Sequence, residues 1–281
     1  MTISPRTRSR AARAFVYALL ILGVVIVTLP FWYTVVTSLK PQAFVFEIPP
    51  RLWPSPATIS NYVEALTKEN FGLYFLNSLF VATVATGLTV VIAAMMAYAF
   101  ARLEFPGKEV IFYGLLLGMM IPPVMLIIPQ FIIAKNLHLL DSLTGLIVVY
   151  ISMNLSVQTF LLRGFFEGIP KSLEEAALID GASQWVIFRR IALPLVRPGL
   201  AVVAIFTFLY SWDEFPWAHV AIKETSKRTL PIGIALFQSA HLTEWGQVFA
   251  ASIVAIVPVV IVFAVFQRHF IRGDVGSGMK G

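Results

Sequence analysis

Of 281 residues, 58% are hydrophobic and 13% charged, and the mean hydropathy is +0.82; this leaves too little polar surface for a water-soluble domain and places the chain among membrane proteins. The absence of cysteine excludes a disulfide frame, a thiol nucleophile and a thiolate metal site. The net charge of +6 sits on basic residues scattered over the connections between apolar runs, a topology signal rather than a nucleic-acid surface.

Crossing about 30 Å of hydrocarbon at 1.5 Å per residue takes roughly 20 residues. Six runs meet that length, at residues 14–36, 79–101, 110–133, 142–162, 199–222 and 247–267, so the expected class is an all-α polytopic membrane protein with six transmembrane helices. Arg6, Arg8, Arg10 and Arg13 precede the first run as they would in a signal peptide. That run is too long and has no small-residue cleavage site, which reads as a retained span. Fourteen Lys and Arg fall on the side of both termini, among them Arg102, Lys108, Arg163, Arg189 and Arg190, against seven on the other side, including Lys40, Lys68 and Lys223. The excess places both termini in the cytoplasm.

The connection from Thr37 to Asn77 carries "EIPPRLWPSPATISNY", too long and proline-rich for a tight turn. In the third run Pro122, Pro123 and Pro129 each withhold a helical N–H and are expected to kink or break the span, with Gln130 a candidate cavity residue just beyond. In the fourth, Tyr150, Asn154 and Gln158 recur at four-residue steps and share one face beside the apolar row Ile147, Ile151 and Leu155. Two uses fit the polar row, hydrogen bonding to another helix or lining a translocation cavity.

A charged segment, "SLEEAALIDGASQWVIFRRIALPLVRP" from Ser172 to Pro198, interrupts the apolar pattern. Pro170 discourages continuation of the preceding span, and Ser172 with Glu175 three residues on reads as a capping box. The short helix is expected to close at Gly181 in the left-handed conformation, and a second, amphipathic helix to follow and stop at Pro194. By composition alone this pair also suits a helix lying on the lipid surface.

The outer third of the fifth run carries "YSWDEFPW", where Asp213 and Glu214 would each cost roughly 2.5 to 3.5 kcal/mol at the centre of a lipid-embedded helix and so should face a cavity, water or a partner. Either Trp212 and Trp217 are interfacial anchors with the carboxylates reaching outer water, or rings and carboxylates line a solute pathway. His138, His219, His241 and His269 form no H-E-x-x-H, and no G-x-S-x-G occurs, so neither a metal centre nor a catalytic site is indicated. The ending "GDVGSGMKG" is no phosphate loop, having Met279 in place of the second glycine and no Ser or Thr after Lys280.

Glu175-Ala176-Ala177, then Gly181, Ile191 and Leu193-Pro194, resembles at each fixed position the EAA loop of permease subunits of ABC importers. "YAFARLEFPGK", "LWPSPATISNY", "EEAALIDGAS" and "GSGMKG" look like the carbohydrate-importer branch, relatives of the maltose permease's smaller subunit, over roughly residues 52–281. The resemblance implies a type I ABC importer permease fold: an arm, first span and external segment at 1–70, a five-helix core at 71–268 with a coupling loop at 170–198, and a cytoplasmic tail at 269–281. It implies that Glu174, Glu175, Ala176, Ala177, Asp180, Gly181, Ile191, Leu193 and Pro194 couple to an ATPase subunit, with Glu174, Glu175 and Asp180 offering carboxylates to it. It further implies a second homologous permease, two ATP-binding-cassette ATPases that use ATP and Mg, an extracytoplasmic solute-binding protein, and no cofactor held by this chain. Asp213 departs from the Asn that follows this tryptophan in many relatives. The expected cargo is a sugar or polyol-like solute; glycerol phosphate, an amino acid or a peptide is the alternative within this architecture, and an ion-coupled transporter or channel the alternative outside it.

Overall fold

A computed structural model describes residues 5–67, 70–238 and 243–273, and the glycine-rich ending lies, from Asp274 on, outside the described residues, as does Lys68. In chain order the helices are α1 (Pro5–Ser38), α2 (Ser60–Thr67), α3 (Phe71–Arg102), α4 (Lys108–Met119), α5 (Ile127–Asn136), α6 (Leu143–Glu167), α7 (Lys171–Ile179), α8 (Gln184–Ile187), α9 (Leu193–Leu195), α10 (Arg197–Asp213), α11 (Pro216–Ala221), α12 (Leu230–Leu236) and α13 (Trp245–Gly273). Among the described residues the one extended pairing is an isolated bridge between Gln238 and Thr243. Among the described residues four helices are long and apolar enough to span a membrane alone, and the spans number six with each of two bent pairs taken as one.

The bends have identifiable chemistry. The third span turns by 100° between α4 and Pro123–Asn136, because Pro122 and Pro123 supply no N–H and Pro122 is held extended by the proline after it (φ −58, ψ 130). Pro129, expected to kink the span as well, does not. It lies in the first turn of α5, where a backbone N–H has no acceptor within the helix to lose. A second bend, of 77°, separates Gln184–Leu195 from α10. The helix leading to it does not stop at Pro194 but runs through a π turn at Phe188–Ala192 to Leu195. Pro194 follows directly on the π turn, whose larger number of residues per turn gives its ring room without ending the helix.

Two compact units can be distinguished, Met1–Glu69 with Ile234–Val254, and Asn70–Gly233 with Ala255–Gly281. In the first, α1 exposes its apolar side chains around its whole circumference from Ala12 to Phe31, as a helix solvated by lipid does. The following connection is ordered by polar contacts. Lys40, 1% exposed, donates to the Arg51 carbonyl at 2.8 Å and pairs with Glu47 at 3.4 Å. Asn61 donates to the carbonyls of Ser38 and Lys40, and Gln42 both donates to the Thr243 carbonyl and accepts from the Gly246 N–H.

In the second unit α3 packs along α6 and α10. Without water between them, helices in lipid associate through close packing, which small residues permit. Ala85, Thr89, Ala93 and Ala97 supply such a stripe, at four-residue steps and fully buried. Tyr150 packs in one core with Ala85, and Leu162 and Phe166 in another with Ala93 and Ala97. The entry to α6 is equally tight: a Cβ on Gly145 would lie 1.8 Å from the Leu139 carbonyl oxygen. Gly145→Ala is expected to lower the thermal unfolding midpoint of the detergent-solubilised protein, the cost being about 1–3 kcal/mol for overpacking against backbone. Gly87→Ala, which meets open space, is expected to leave the midpoint unchanged or raise it slightly.

Candidate functional site

The chain carries two candidate regions, both within the second unit. The first is a cavity of about 890 Å³ bounded by the bend before α5 (Pro123, Val124, Ile127), one face of α6 (Met153, Asn154, Val157, Gln158, Leu161), α10 (Phe206, Leu209, Tyr210, Asp213) and the turn into α11 (Glu214, Pro216, Trp217). The polar row of the fourth span is buried, Tyr150 at 0%, Asn154 at 6% and Gln158 at 3% exposure. The structure divides its work: Tyr150 bonds between helices, whereas Asn154 and Gln158 line the cavity.

Glu214 organises this end of the cavity. Pro216 cannot continue α10, since its ring would meet the carbonyl four residues back, and the chain opens at Glu214 into extended backbone (ψ 117). The fifth span, expected to run unbroken to residue 222, is thus interrupted at Glu214–Phe215 and resumes as α11. The Glu214 carboxylate accepts the Tyr150 phenol at 2.7 Å and the first free N–H groups of α11, Trp217 at 2.7 Å and Ala218 at 3.0 Å. It is therefore a helix cap tied to α6, 8% exposed, and not a carboxylate reaching outer water. At the other end of α11 the Asp141 N–H donates to the Ala221 carbonyl, and its carboxylate accepts the N–H groups of Glu224 and Lys223 at 2.9 and 3.0 Å. Those two donors hold the Asp141 carboxyl below the usual carboxylate range.

Asp213, one residue earlier, lines the cavity with no ion pair or hydrogen bond among the described residues. Trp212 points elsewhere: it is 2% exposed, stacks on Phe208, meets Phe75 edge-on and donates to the Ala255 carbonyl at 3.1 Å. It is a packing residue, neither an interfacial anchor nor part of the cavity wall. Gln130 is also absent from that wall. Tyr210, which sequence reading passed over, belongs to it, and its signal was its place one turn before Asp213 on the same face of α10.

The second region is the charged hairpin. α7 starts at Lys171 with Pro170 as N-cap, so Ser172 lies inside the first turn and makes no cap, contrary to the expected capping box. The fixed φ of Pro170 starts the helix two residues earlier than a Ser172 cap requires. Gly181 has φ +80, the Ala182 N–H reaches the Ala177 carbonyl and the Gly181 N–H that of Leu178, which is a Schellman closure. Ser183 then caps α8 through the Val186 N–H. Glu175, Ala176, Asp180 and Gly181 are exposed at the tip, and Ala177 is half-buried. Glu174, expected to face a partner, instead pairs with Arg102 at 2.9 Å, its side chain 13% exposed. Ile191, Leu193 and Pro194 are half-buried, and Leu193 packs on the α3 core, seating the hairpin against the body.

Long apolar helices, two bent pairs among them, a cavity walled by them and an exposed helix–glycine–helix tip make up a polytopic membrane protein. Residues 89–273 match the family described as binding-protein-dependent transport system inner membrane component, and the chain belongs to it. It is 40% identical over 96% of its length to the diacetylchitobiose uptake system permease protein NgcG of Streptomyces coelicolor, covering 89% of that protein. It is 37% identical over 87% of its length to the sulfoquinovosyl glycerol transport system permease protein SmoH of Agrobacterium fabrum, covering 86%, and 35% identical over 90% to the trehalose transport system permease protein SugB of Mycobacterium tuberculosis, covering 92%. One chain in the crystal structure of a bacterial ABC transporter involved in alginate import shares the fold, with a TM-score of 0.80 at 24% identity over 96% of this chain and 99% of that one. The chain is accordingly a multi-pass ABC importer permease subunit rather than an enzyme, and permeases of this kind work with a solute-binding protein and other subunits.

Glu214→Ala removes the acceptor of three donors, each costing about 1–3 kcal/mol when left unsatisfied. It is expected to lower the thermal midpoint of the solubilised protein clearly, whereas Asp213→Ala leaves it within error.

Proposed function

We propose that this chain forms one half of the membrane pore of an ATP-driven importer for a sugar or polyol-like solute, the other half being a second, homologous permease. The observation that supports it most is the cavity wall, where Asn154, Gln158, Tyr210 and Asp213 offer hydrogen-bonding groups among apolar side chains, the mixture that hydroxyl-rich rings require. The relatives named for diacetylchitobiose, trehalose and sulfoquinovosyl glycerol uptake favour the same solute class. An unpaired Asp213 carboxylate repels phosphate, which weighs against a phosphorylated solute.

Both termini and the hairpin lie in the cytoplasm of the cell that carries the protein in its plasma membrane. The exposed tip, Glu175 to Gly181, seats in a cleft of an ATPase subunit, two of which bind ATP and Mg outside this chain. Closure of the ATPases on ATP and their opening after hydrolysis move the tip and drive alternating access of the cavity, while an extracytoplasmic binding protein delivers the solute.

Three measurements test this reading. With no native cysteine, Ser60→Cys is expected to label with an impermeant reagent in intact cells and Ser183→Cys not to; the reverse pattern rejects the orientation. Gly181→Val puts a β-branched side chain at φ +80 and is expected to leave membrane levels normal while uptake of labelled neutral disaccharides falls several-fold; parental uptake rejects the role of the tip. Asp213→Ala is expected to reduce uptake at unchanged expression, and full activity would remove it from the pathway.

A further inference from the structure

The tip of the hairpin is exposed, so its displacement reaches the cavity only through what holds its base. Apolar packing of Phe188 and Leu193 seats it, and four polar contacts, which converge on the last two turns of α3, fix its position. Arg102, the final residue of that helix and 6% exposed at its side chain, places Nε 2.9 Å from the Glu174 carboxylate in the first turn of α7. The Nε–H is not aimed along that line, so the contact is a Coulombic one between two groups with little access to water. The Nη2 group of the same guanidinium donates to the Phe166 carbonyl at 2.7 Å and to the Ile169 carbonyl, at and just past the C-terminal end of α6. There the guanidinium meets the negative end of that helix dipole. One turn back on α3, the Tyr98 hydroxyl donates to the Gln184 side chain at 3.2 Å, holding the first residue of α8.

We propose that Arg102 is a positioning residue that clamps the coupling hairpin to α3 and α6, so that the hairpin and these two helices move as one body during the transport cycle. The assignment of the hairpin as the ATPase contact is taken from the proposed function; the clamp itself follows from geometry. A guanidinium suits the task because one planar fork serves a carboxylate and two carbonyls at once, which an ammonium on a flexible stem does not. α3 in turn packs along α10, whose end carries Asp213 and the Glu214 cap. A push at α7 is thereby delivered to the helices that wall the cavity, through packed elements rather than a flexible linker.

The assembled complex, with its other chains made cysteine-free, carries spin labels at Ser172→Cys on α7 and Leu88→Cys on the exposed face of α3. The distance distribution between them is measured without nucleotide and in the Mg-ATP state trapped with vanadate. The clamp predicts one narrow distribution that does not shift between the two states. Arg102→Ala and Glu174→Gln are expected to broaden it without nucleotide and to shift it on trapping, and Arg102→Lys, which keeps the charge and loses the fork, is expected to fall between. A shift in the parent, or variants as narrow as the parent, overturns the proposal. If Arg102→Ala does not assemble, Glu174→Gln, which keeps the side-chain size, carries the same decision. Cross-linking of Ala177→Cys to the ATPase is scored separately: its absence rejects the docking reading, while the nucleotide-free distances still decide the clamp.

Discussion

A backbone N–H that faces hydrocarbon has no water to turn to, and a span that breaks must therefore bring its own acceptor. Glu214 is that acceptor. Its two oxygens serve the first turn of α11 and the phenol of Tyr150 together, so one side chain allows the fifth span to open and fixes the opening to α6. The cavity exists because of this arrangement. If α10 continued through residue 222, the helix would run past Asn154 and Gln158, and the turn that brings Glu214, Pro216 and Trp217 to the wall would not form.

The same economy governs the charged hairpin. The family spacing marks residues at both ends, Glu175 to Gly181 at the exposed tip and Ile191, Leu193 and Pro194 at the half-buried base, but it does not mark the ion pair that holds the base. Charge at the tip is solvated and free to meet a partner, whereas charge at the base is committed within the chain. Glu174 and Glu175 are neighbours in sequence with opposite assignments, decided by which one lies against Arg102.

How far the sequence discloses this depends on whether the controlling contact is local. The spans follow from apolar length, the buried face of α6 from four-residue steps, and the turn at Gly181 from the only residue type that takes φ +80 without strain. The small-residue stripe from Ala85 to Ala97 is just as periodic, but it passes unnoticed in a run where nearly every residue is apolar. The break at Glu214 follows from Pro216 once its effect four residues back is considered. Arg102 with Glu174, and Tyr150 with Glu214, cannot be paired from sequence, because each joins helices whose relative placement is set by the packing of α3, α6 and α10. Ser172 misleads because it has the chemistry of a cap but sits two positions too late, after a proline that already starts the helix.

The π turn at Phe188–Ala192 has a bearing on how such chains diverge. It holds one more residue than an α-helical turn would over the same rise, so the extra residue is absorbed within the turn and the helix on either side keeps its angular phase. Loss of a single residue there would let the segment relax to a regular helix with the hairpin still facing the same way relative to α10. The same loss from a regular turn would rotate everything before it by about 100° about the helix axis. Length at these five positions can thus change among relatives while the face that the tip presents is kept.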